Sequence, residues 1–264
     1  MAKHLRLLGP IAGDIIGSIY EFSNIHTRDF PLFGKGCSFT DDSVCTIGIA
    51  DALLTGRSFG DSLRSWCLRY PHPMGGYGGR FRGWVFSRGS GPYNSCGNGS
   101  AMRVAACGWY SEDSGKCLQA AELSASCTHN HPEGVKGAVC TTAFIFAARH
   151  GETKDGLRKL AHDYYPDYDF AASEPAPFEG FNALCQNTVP QAIHAVLSST
   201  GFEDCMRLVM SLGGDSDTNG AIAGAMAEAL YGGISPIEEE TVLGYLPDDI
   251  KEVITAFNEK FIKE

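Results

Sequence analysis

The chain has 264 residues, a length that allows one large domain or two small ones. Hydrophobic residues make up 44% of it and charged residues 20%, which is typical of a globular protein and excludes a disordered chain. With 21 basic against 31 acidic residues the formal net charge is −10, which opposes general affinity for nucleic acid or for an anionic membrane surface.

Targeting and membrane signals are weak in this sequence. The longest nearly apolar run, residues 138–148, is far shorter than the roughly 18 residues that a membrane span needs. The N-terminal segment has a basic start but no small-residue cleavage site, so we expect no signal peptide. The ten cysteines show no CxxC spacing, and we interpret them as reduced core residues of a cytoplasmic protein. The only short basic cluster is Arg80, Arg82 and Arg88.

Helical periodicity recurs along the chain, whereas strand-like alternation is scarce. The clearest example follows two acidic residues at 248–249 and ends in lysines, as the helix dipole favours. The predicted helices cover, in chain order, residues 44–54, 137–149, 204–212, 221–231 and 250–261. We therefore predict an all-α fold, a compact single-domain bundle of many helices over residues 1–264.

Two segments lack a helical pattern. Residues 70–100 are rich in glycine and proline, and residues 163–187 are rich in aspartate, proline and aromatic residues. Loops of this length are uncommon inside a compact domain and are often functional. We therefore predict two elaborate loops between the helices.

Two acidic clusters each stand directly before a predicted helix. The first is residues 39–43 (FTDDS) and the second is residues 213–220 (GGDSDTNG). Their carboxylate and hydroxyl oxygens suit Mg²⁺, Ca²⁺ or Mn²⁺. The same residues are also good helix caps, so each cluster alone fits either a cap or a ligand set. The presence of two clusters favours a metal site.

The second cluster also resembles the first half of an EF-hand loop. Asp215, Asp217 and Asn219 alternate as the early calcium ligands of such a loop do. The twelfth position, however, is Met226 instead of a glutamate, and two glycines interrupt the entering helix. We therefore reject an EF-hand.

Four further features carry chemistry less specifically. Residues 96–103 (CGNGSAMR) place glycines before a helix, which suits either an anion site or a tight capped loop. Residues 128–133 (THNHPE) offer histidines for a metal or ligand, or a helix cap. Asp14 and Glu21 are about two helical turns apart and could share a face, although solvated or capping roles are the simpler interpretation. Tyr77 lies in a glycine-rich loop that could cover a ligand.

Taken together, the ordered motifs GDIIGSIYEF, FTDDS, GNGSAMR, THNHPEG and GGDSDTNGAIAGA resemble those of the ADP-ribosylglycohydrolase family. They run from residue 13 to about residue 225 and so cover most of the chain. Ser43 stands where the family often has threonine, which keeps the hydroxyl. The resemblance implies an all-α fold with two divalent cations, Mg²⁺ or Mn²⁺, in a cleft.

The resemblance also implies roles for individual residues. Glu21 would lie near the scissile bond, and Asp41, Asp42 and Asp217 would be catalytic through the cations. The implied metal ligands are Thr40, Asp41, Asp42, Asp215, Asp217 and Thr218. The implied substrate contacts are Tyr77, Asn98, Gly99, Ser100, Met102 and His129.

The implied activity is hydrolysis of the C1″ glycosidic bond between ADP-ribose and an acceptor. The substrate would be an ADP-ribosylated protein, modified on a side chain such as arginine or serine, or a small ADP-ribose conjugate. The cations would bind the ribose and activate water, with Glu21 as acid or base. The alternatives are a non-catalytic ADP-ribose reader, a structural protein, and a hydrolase of another ADP-ribose derivative. The complete acidic set disfavours the first two.

Overall fold

The structure, a computed structural model, describes residues 4–87, 89–178 and 180–263. Over these ranges the chain is helical, with β pairing confined to the isolated bridges Thr40–Met74 and Gly97–Leu184. The predicted all-α fold is confirmed. The helices are α1 (Leu8–Gly17), α2 (Asp41–Thr55), α3 (Phe59–Arg69), α4 (Gly79–Phe86), α5 (Ala105–Trp109), α6 (Ser114–Ser126), α7 (Pro132–Arg149), α8 (Lys154–Tyr164), α9 (Cys185–Ser198), α10 (Phe202–Leu212), α11 (Ser216–Tyr231), α12 (Pro236–Tyr245) and α13 (Asp248–Phe261).

Helices α1 and α11 touch backbone to backbone at the centre of the fold. A Cβ atom added to Gly13 would lie 1.9 Å from the carbonyl oxygen of Gly220, and one added to Gly224 would lie 2.3 Å from that of Gly9. No residue larger than glycine fits at these crossings. Gly220 and Gly224 are four residues apart on α11, and α1 is the helix that approaches them.

Three predicted helices begin three or more residues earlier than their apolar patterns suggest. Helix α2 begins at Asp41 with Thr40 as its N-cap, and α11 begins at Ser216, so both acidic clusters enter the first helical turn. Helix α7 begins at Pro132, where the side chain of His131 accepts from the backbone N–H of Glu133. The capping interpretation is therefore confirmed for Thr40 and His131. Because residues 216–226 are helical, the rejection of an EF-hand loop is also confirmed.

The prediction of a helix-free loop at residues 70–100 is wrong in part. Helix α4 forms inside this segment despite two glycines, which disfavour helix. Its apolar residues Phe81, Trp84 and Val85 are buried on one face, and this tertiary packing outweighs the low propensity. Residues 165–184, within the second predicted loop, form no helix where they are described.

Most of the cysteines lie in the core, as the sequence analysis predicts. All ten cysteines are free thiols, and eight of them are buried. Among the helices that the structure describes, none combines the length and apolar character that crossing a bilayer demands.

Candidate active site

The two acidic clusters of the sequence meet where α1, α2 and α11 come together. Asp42 lies in the first turn of α2 and Asp217 in the first turn of α11. Carboxylate oxygens of Asp14, Asp42 and Asp217 all lie within 4.8 Å of one another, as do those of Glu21, Asp215 and Asp217. Because Asp217 belongs to both groups, they form one continuous acidic centre.

Asp14 anchors the N-terminus of α2. Its Oδ1 accepts a hydrogen bond from the Thr40 hydroxyl at 2.7 Å. Its Oδ2 accepts from the backbone N–H groups of Thr40 at 2.9 Å and Ser43 at 3.1 Å, and from the Ser43 hydroxyl. Both oxygens of this fully buried carboxylate are thus engaged by α2. Asp14 therefore holds α2 against α1 and positions the neighbouring Asp42.

The carboxylates of the acidic centre are buried close together, and they repel one another when they are ionised. Burial is the main cause that raises the pKa values of Asp42 and Asp217 well above the ordinary range, and repulsion from neighbouring carboxylates adds to it. The Oδ1 atom of Asp42 is buried and has no hydrogen-bond partner within the described ranges. Such an oxygen is costly unless a proton or a cation satisfies it, so the donor set fits a hard divalent cation.

Glu21 reaches the acidic centre from a turn, not from a helix. Helix α1 ends at Gly17, so the predicted alignment of Asp14 and Glu21 on one helical face is wrong. Burial, then repulsion from Asp215 and Asp14, raises the pKa of Glu21 to about 7. A carboxyl group that titrates near neutrality is suited to exchange a proton with a substrate or with water.

The loop at residues 97–100 connects the acidic centre to a second group of residues, the basic wall, which consists of Arg80, Gly97, Gly99, Arg103 and His129. Asn98 is buried, and its Nδ2 donates to Asp215 Oδ2 at 2.8 Å. A Cβ on Gly99 would lie 3.1 Å from His129 Nε2, so the glycine lets the imidazole lie directly against the loop. His129 Nε2 therefore lies directly beside the backbone of Gly99.

Two arginines give the basic wall its positive charge. The guanidinium of Arg80 lies over the ring of Tyr93, 5.0 Å from its centroid, and Arg103 is fully buried. Burial, then the charges of Arg103 and Arg80, hold the pKa of His129 well below its ordinary value. The imidazole is therefore neutral at pH 7, and the positive charge of this wall comes from the arginines.

Both walls face one cavity of about 340 Å³. Ten of the thirteen predicted site residues line it: Glu21, Asp41, Asp42, Asn98, Gly99, Met102, His129, Asp215, Asp217 and Thr218. The cavity is thus lined by both carboxylates and arginines.

Three predicted residues direct their side chains elsewhere. The Thr40 hydroxyl is held by Asp14, and the Ser100 hydroxyl donates to the carbonyl of Gly134 at 2.7 Å. The Tyr77 hydroxyl donates to the carbonyl of Tyr70 at 2.7 Å, while the glycines on either side of Tyr77 line the cavity. The functional roles of these three residues stay predictions.

Several residues of the site carry no assigned role in the sequence analysis. Asp14 anchors α2, and Arg80, Arg103 and Tyr93 line the cavity. Phe181, from the second long loop, also lines it and stacks on the exposed ring of Phe22 at 6.4 Å between centroids. Arg80 and Arg103 lie in segments that the sequence analysis singles out, but only the fold shows that they meet. Arg88, the third member of the basic cluster, lies outside the described residues.

Comparison with known proteins connects this arrangement to one family. The family model described as ADP-ribosylglycohydrolase matches residues 6–264. Among solved structures, an ADP-ribosylglycohydrolase-related protein complex matches with a TM-score of 0.73 at 24% identity, covering 96% of each chain. This structural likeness shows a shared fold.

Three curated relatives are similar to the chain at 25–29% identity. The chain is 25% identical over 263 residues to the ADP-ribosylarginine hydrolase Tri1 of Pseudomonas putida strain GB-1, covering 86% of this chain and 69% of that protein. It is 29% identical over 151 residues to ADP-ribosyl-(dinitrogen reductase) glycohydrolase of Rhodospirillum rubrum, covering 53% and 49%. It is 25% identical over 308 aligned positions to ADP-ribosylhydrolase ARH3 of Gallus gallus, covering 86% and 84%.

Proposed function

Since the chain belongs to the ADP-ribosylglycohydrolase family of hydrolases, we propose that it cleaves the C1″ glycosidic bond between ADP-ribose and an acceptor. Water adds to C1″, the acceptor leaves with a proton, and free ADP-ribose is the second product. The names of the three curated relatives, each an ADP-ribosyl hydrolase, support this class of reaction.

One observation carries the proposal: a single cavity joins a carboxylate centre to a basic, glycine-lined wall. A diphosphate is attracted to the wall that carries Arg80 and Arg103. A ribose attached to that diphosphate would then extend toward Asp42 and Asp217, which line the same cavity. The cavity therefore offers positive charge for a diphosphate and carboxylates for a ribose, with C1″ at the acidic centre.

The donor set at the acidic centre fits two divalent cations. Asp42 and Asp217 would provide oxygens for one, beside Asp14, whose two oxygens are already engaged by α2. Asp215 and Asp217 would provide oxygens for the other, and a Glu21 oxygen lies within 4.8 Å of theirs. The partnerless Oδ1 of Asp42 favours a ligand role for that residue. Mg²⁺ or Mn²⁺ bound there would polarise the ribose hydroxyls and lower the pKa of a nearby water.

The protein residues would divide the remaining work. Glu21 would hold or release the proton that moves between water and the leaving acceptor, because its carboxyl group lies at the acidic centre and burial raises its pKa to about 7 in the cation-free protein. Asp41 lines the cavity beside Asp42 and would bind a cation or a ribose hydroxyl. Asn98 would keep Asp215 oriented through its hydrogen bond.

Release of free ADP-ribose from defined conjugates tests the proposal directly. The panel holds arginine-, serine- and nucleobase-linked ADP-ribose, each assayed by mass spectrometry with Mg²⁺, Mn²⁺ or EDTA. We expect release from at least one conjugate, and we expect EDTA to abolish it. The acceptor that supports release would show whether this chain acts on the acceptor in the name of the ADP-ribosylarginine hydrolase.

Two results would contradict the proposal. Release that persists unchanged in EDTA would remove the cations from the mechanism. Failure to release ADP-ribose from any conjugate, while free ADP-ribose still binds in calorimetry, would instead make the chain a reader.

A further inference from the structure

A chain of hydrogen bonds runs behind the basic wall of the cavity, from Arg103 to His129. Arg103 Nη2 donates to the Thr128 hydroxyl at 2.7 Å and to the carbonyl of Ser124 at 2.8 Å. The Thr128 hydroxyl lies 2.7 Å from His129 Nδ1. Arg103 and Thr128 are fully buried and His129 nearly so, so water does not compete for these bonds.

The chemistry of the donors gives this chain a direction. A guanidinium has only donors, so the Thr128 oxygen must accept from Arg103. The hydroxyl proton of Thr128 then needs an acceptor, and the nitrogen His129 Nδ1 lies at the right distance. An imidazole nitrogen that accepts a hydrogen bond carries no proton, and the other ring nitrogen of a neutral histidine then carries it.

The protonated nitrogen would face the cavity. His129 Nε2 lies against the glycine loop, 3.1 Å from the position of a Cβ on Gly99 and 3.6 Å from one on Gly97. With a proton on Nε2 this nitrogen donates to an anionic oxygen, whereas without one its lone pair repels that oxygen. Burial and the arginine charges lower the pKa of His129, which keeps the ring neutral and makes the choice of tautomer decisive.

We propose that Arg103 and Thr128 are positioning residues that fix the neutral, Nε2-protonated tautomer of His129, so that Nε2–H donates to a phosphate oxygen of the substrate. The phosphate contact rests on the proposed function; the tautomer does not. Arg103 also forms no ion pair with a carboxylate anywhere in the described ranges. Its charge is therefore left to complement an anion in the cavity.

Nitrogen-15 NMR of the histidine rings in the apo-protein tests the tautomer without any substrate. The His129 signals are assigned by comparison with His129→Gln. We expect the wild-type protein to show an unprotonated Nδ1 and a protonated Nε2. We expect Thr128→Val, which keeps the side-chain shape but removes the hydroxyl, to populate the other tautomer. Thr128→Ser should restore the wild-type spectrum.

The chain offers a matched control in Thr142. This threonine is fully buried on α7, and its hydroxyl has no hydrogen-bond partner within the described residues. Thr142→Val is therefore the same substitution at another buried site, but it breaks no hydrogen bond between described residues. We expect it to leave the His129 spectrum unchanged.

Binding and kinetics test the consequence for the ligand. Loss of one hydrogen bond to a charged oxygen should weaken ADP-ribose binding by about ten- to a hundredfold in Thr128→Val, measured by calorimetry. Because the phosphate contact persists from the bound substrate to the transition state, KM should rise while kcat changes little. Thr142→Val should match the wild type.

Three outcomes would overturn the inference. A protonated Nδ1 in the wild-type spectrum would refute the tautomer. A Thr128→Val protein that matches Thr142→Val in spectrum and affinity would refute the positioning roles. An altered spectrum with unaltered ADP-ribose affinity would refute the phosphate contact. Absence of hydrolytic activity, by contrast, would refute the proposed function and leave the apo-protein spectrum as an independent result.

Discussion

Carboxylates are buried near both ends of the contact between α1 and α11, and the two places differ in whether the carboxylate oxygens have hydrogen-bond partners. Near one end, Asp42 and Asp217 join the acidic centre, and an Asp42 oxygen has no partner among the described residues. Near the other end, Glu228 accepts from the backbone N–H groups of Leu7 at 3.1 Å and Gly9 at 2.9 Å, one with each oxygen. Glu228 thus caps the N-terminus of α1.

Burial and a raised pKa are common to both places. Burial raises the pKa of Glu228 to about 7, as it raises those of Asp42 and Asp217. What separates them is the partner of each oxygen. A carboxylate whose oxygens are all engaged by backbone stabilises the fold, whereas one with a free oxygen is available to a ligand.

Asp217→Asn should produce the largest effect. It removes the carboxylate shared by both oxygen groups, and loss of one electrostatic group at a reacting centre costs about a hundred- to a thousandfold in kcat. The melting temperature in EDTA should stay the same or rise, because repulsion within the centre falls. Rates of ADP-ribose release and thermal melts measure the two effects. Near-wild-type turnover would show that the acidic centre is not catalytic.

Glu228→Ala should show the reverse pattern. Two buried backbone N–H groups lose their acceptor at about 1–3 kcal/mol each, so the free energy of unfolding should fall by about 2–6 kcal/mol. The value of kcat, measured well below the melting temperature, should be unchanged. Denaturant titration and kinetics check this pair of outcomes. A large loss of kcat in a folded variant would abolish the distinction drawn between the two places.

Asp14→Asn should lie between these extremes. Asp14 holds the first turn of α2 through bonds to Thr40 and Ser43, and loss of such supporting contacts lowers metal affinity by about ten- to a hundredfold. Calorimetric titration with Mn²⁺ measures the change. Asp51→Asn is the matched control on the same helix, because Asp51 accepts from Ser62 and Trp66. Equal effects of both substitutions would contradict the positioning role of Asp14.

The dependence of cation binding on pH should be the smallest effect. Burial raises the pKa of Asp14 to about 6 and, with neighbouring carboxylates, that of Glu21 to about 7. Both groups bind protons more tightly in the folded chain, so their stability contribution is full below about pH 4 and is lost as pH rises through about 7. Cations compete with those protons.

The gain in melting temperature on adding Mn²⁺ should therefore be larger at about pH 8 than at about pH 5.5. Scanning calorimetry with Mn²⁺ or EDTA at each pH measures it. Asp42→Asn should reduce the gain at both pH values. A gain that is independent of pH in the wild type would argue against cation binding by these carboxylates.

The sequence predicts the chemistry of the site better than its construction. The acidic motifs around Asp42 and Asp217 are local, and each precedes a helix whose apolar pattern is visible, so their residue types and placement can be predicted. The role of Asp14 depends on how α1 crosses α2, and nothing near Asp14 in the sequence indicates its contacts with Thr40 and Ser43.

The failure to predict helix α4 has a physical reason of the same kind. Helix α4 is missed because glycine lowers local helix propensity, whereas burial of Trp84 and Val85 is a tertiary effect. Tyr77 lies in the predicted loop and its hydroxyl donates to the carbonyl of Tyr70, a contact that the sequence does not indicate. Local patterns identify which residues carry chemistry, while long-range packing decides where each side chain points.

The glycine contacts between α1 and α11 fix the spacing of the carboxylates but not the shape of the cavity wall. Because Gly13 meets the backbone of Gly220 directly, the spacing of Asp14 and Asp217 is set by main chain and not by side chains. The cavity wall around residue 181 comes from a loop outside that contact. Exchanging this loop for that of a relative would therefore reshape the cavity wall while the spacing of the carboxylates stays the same.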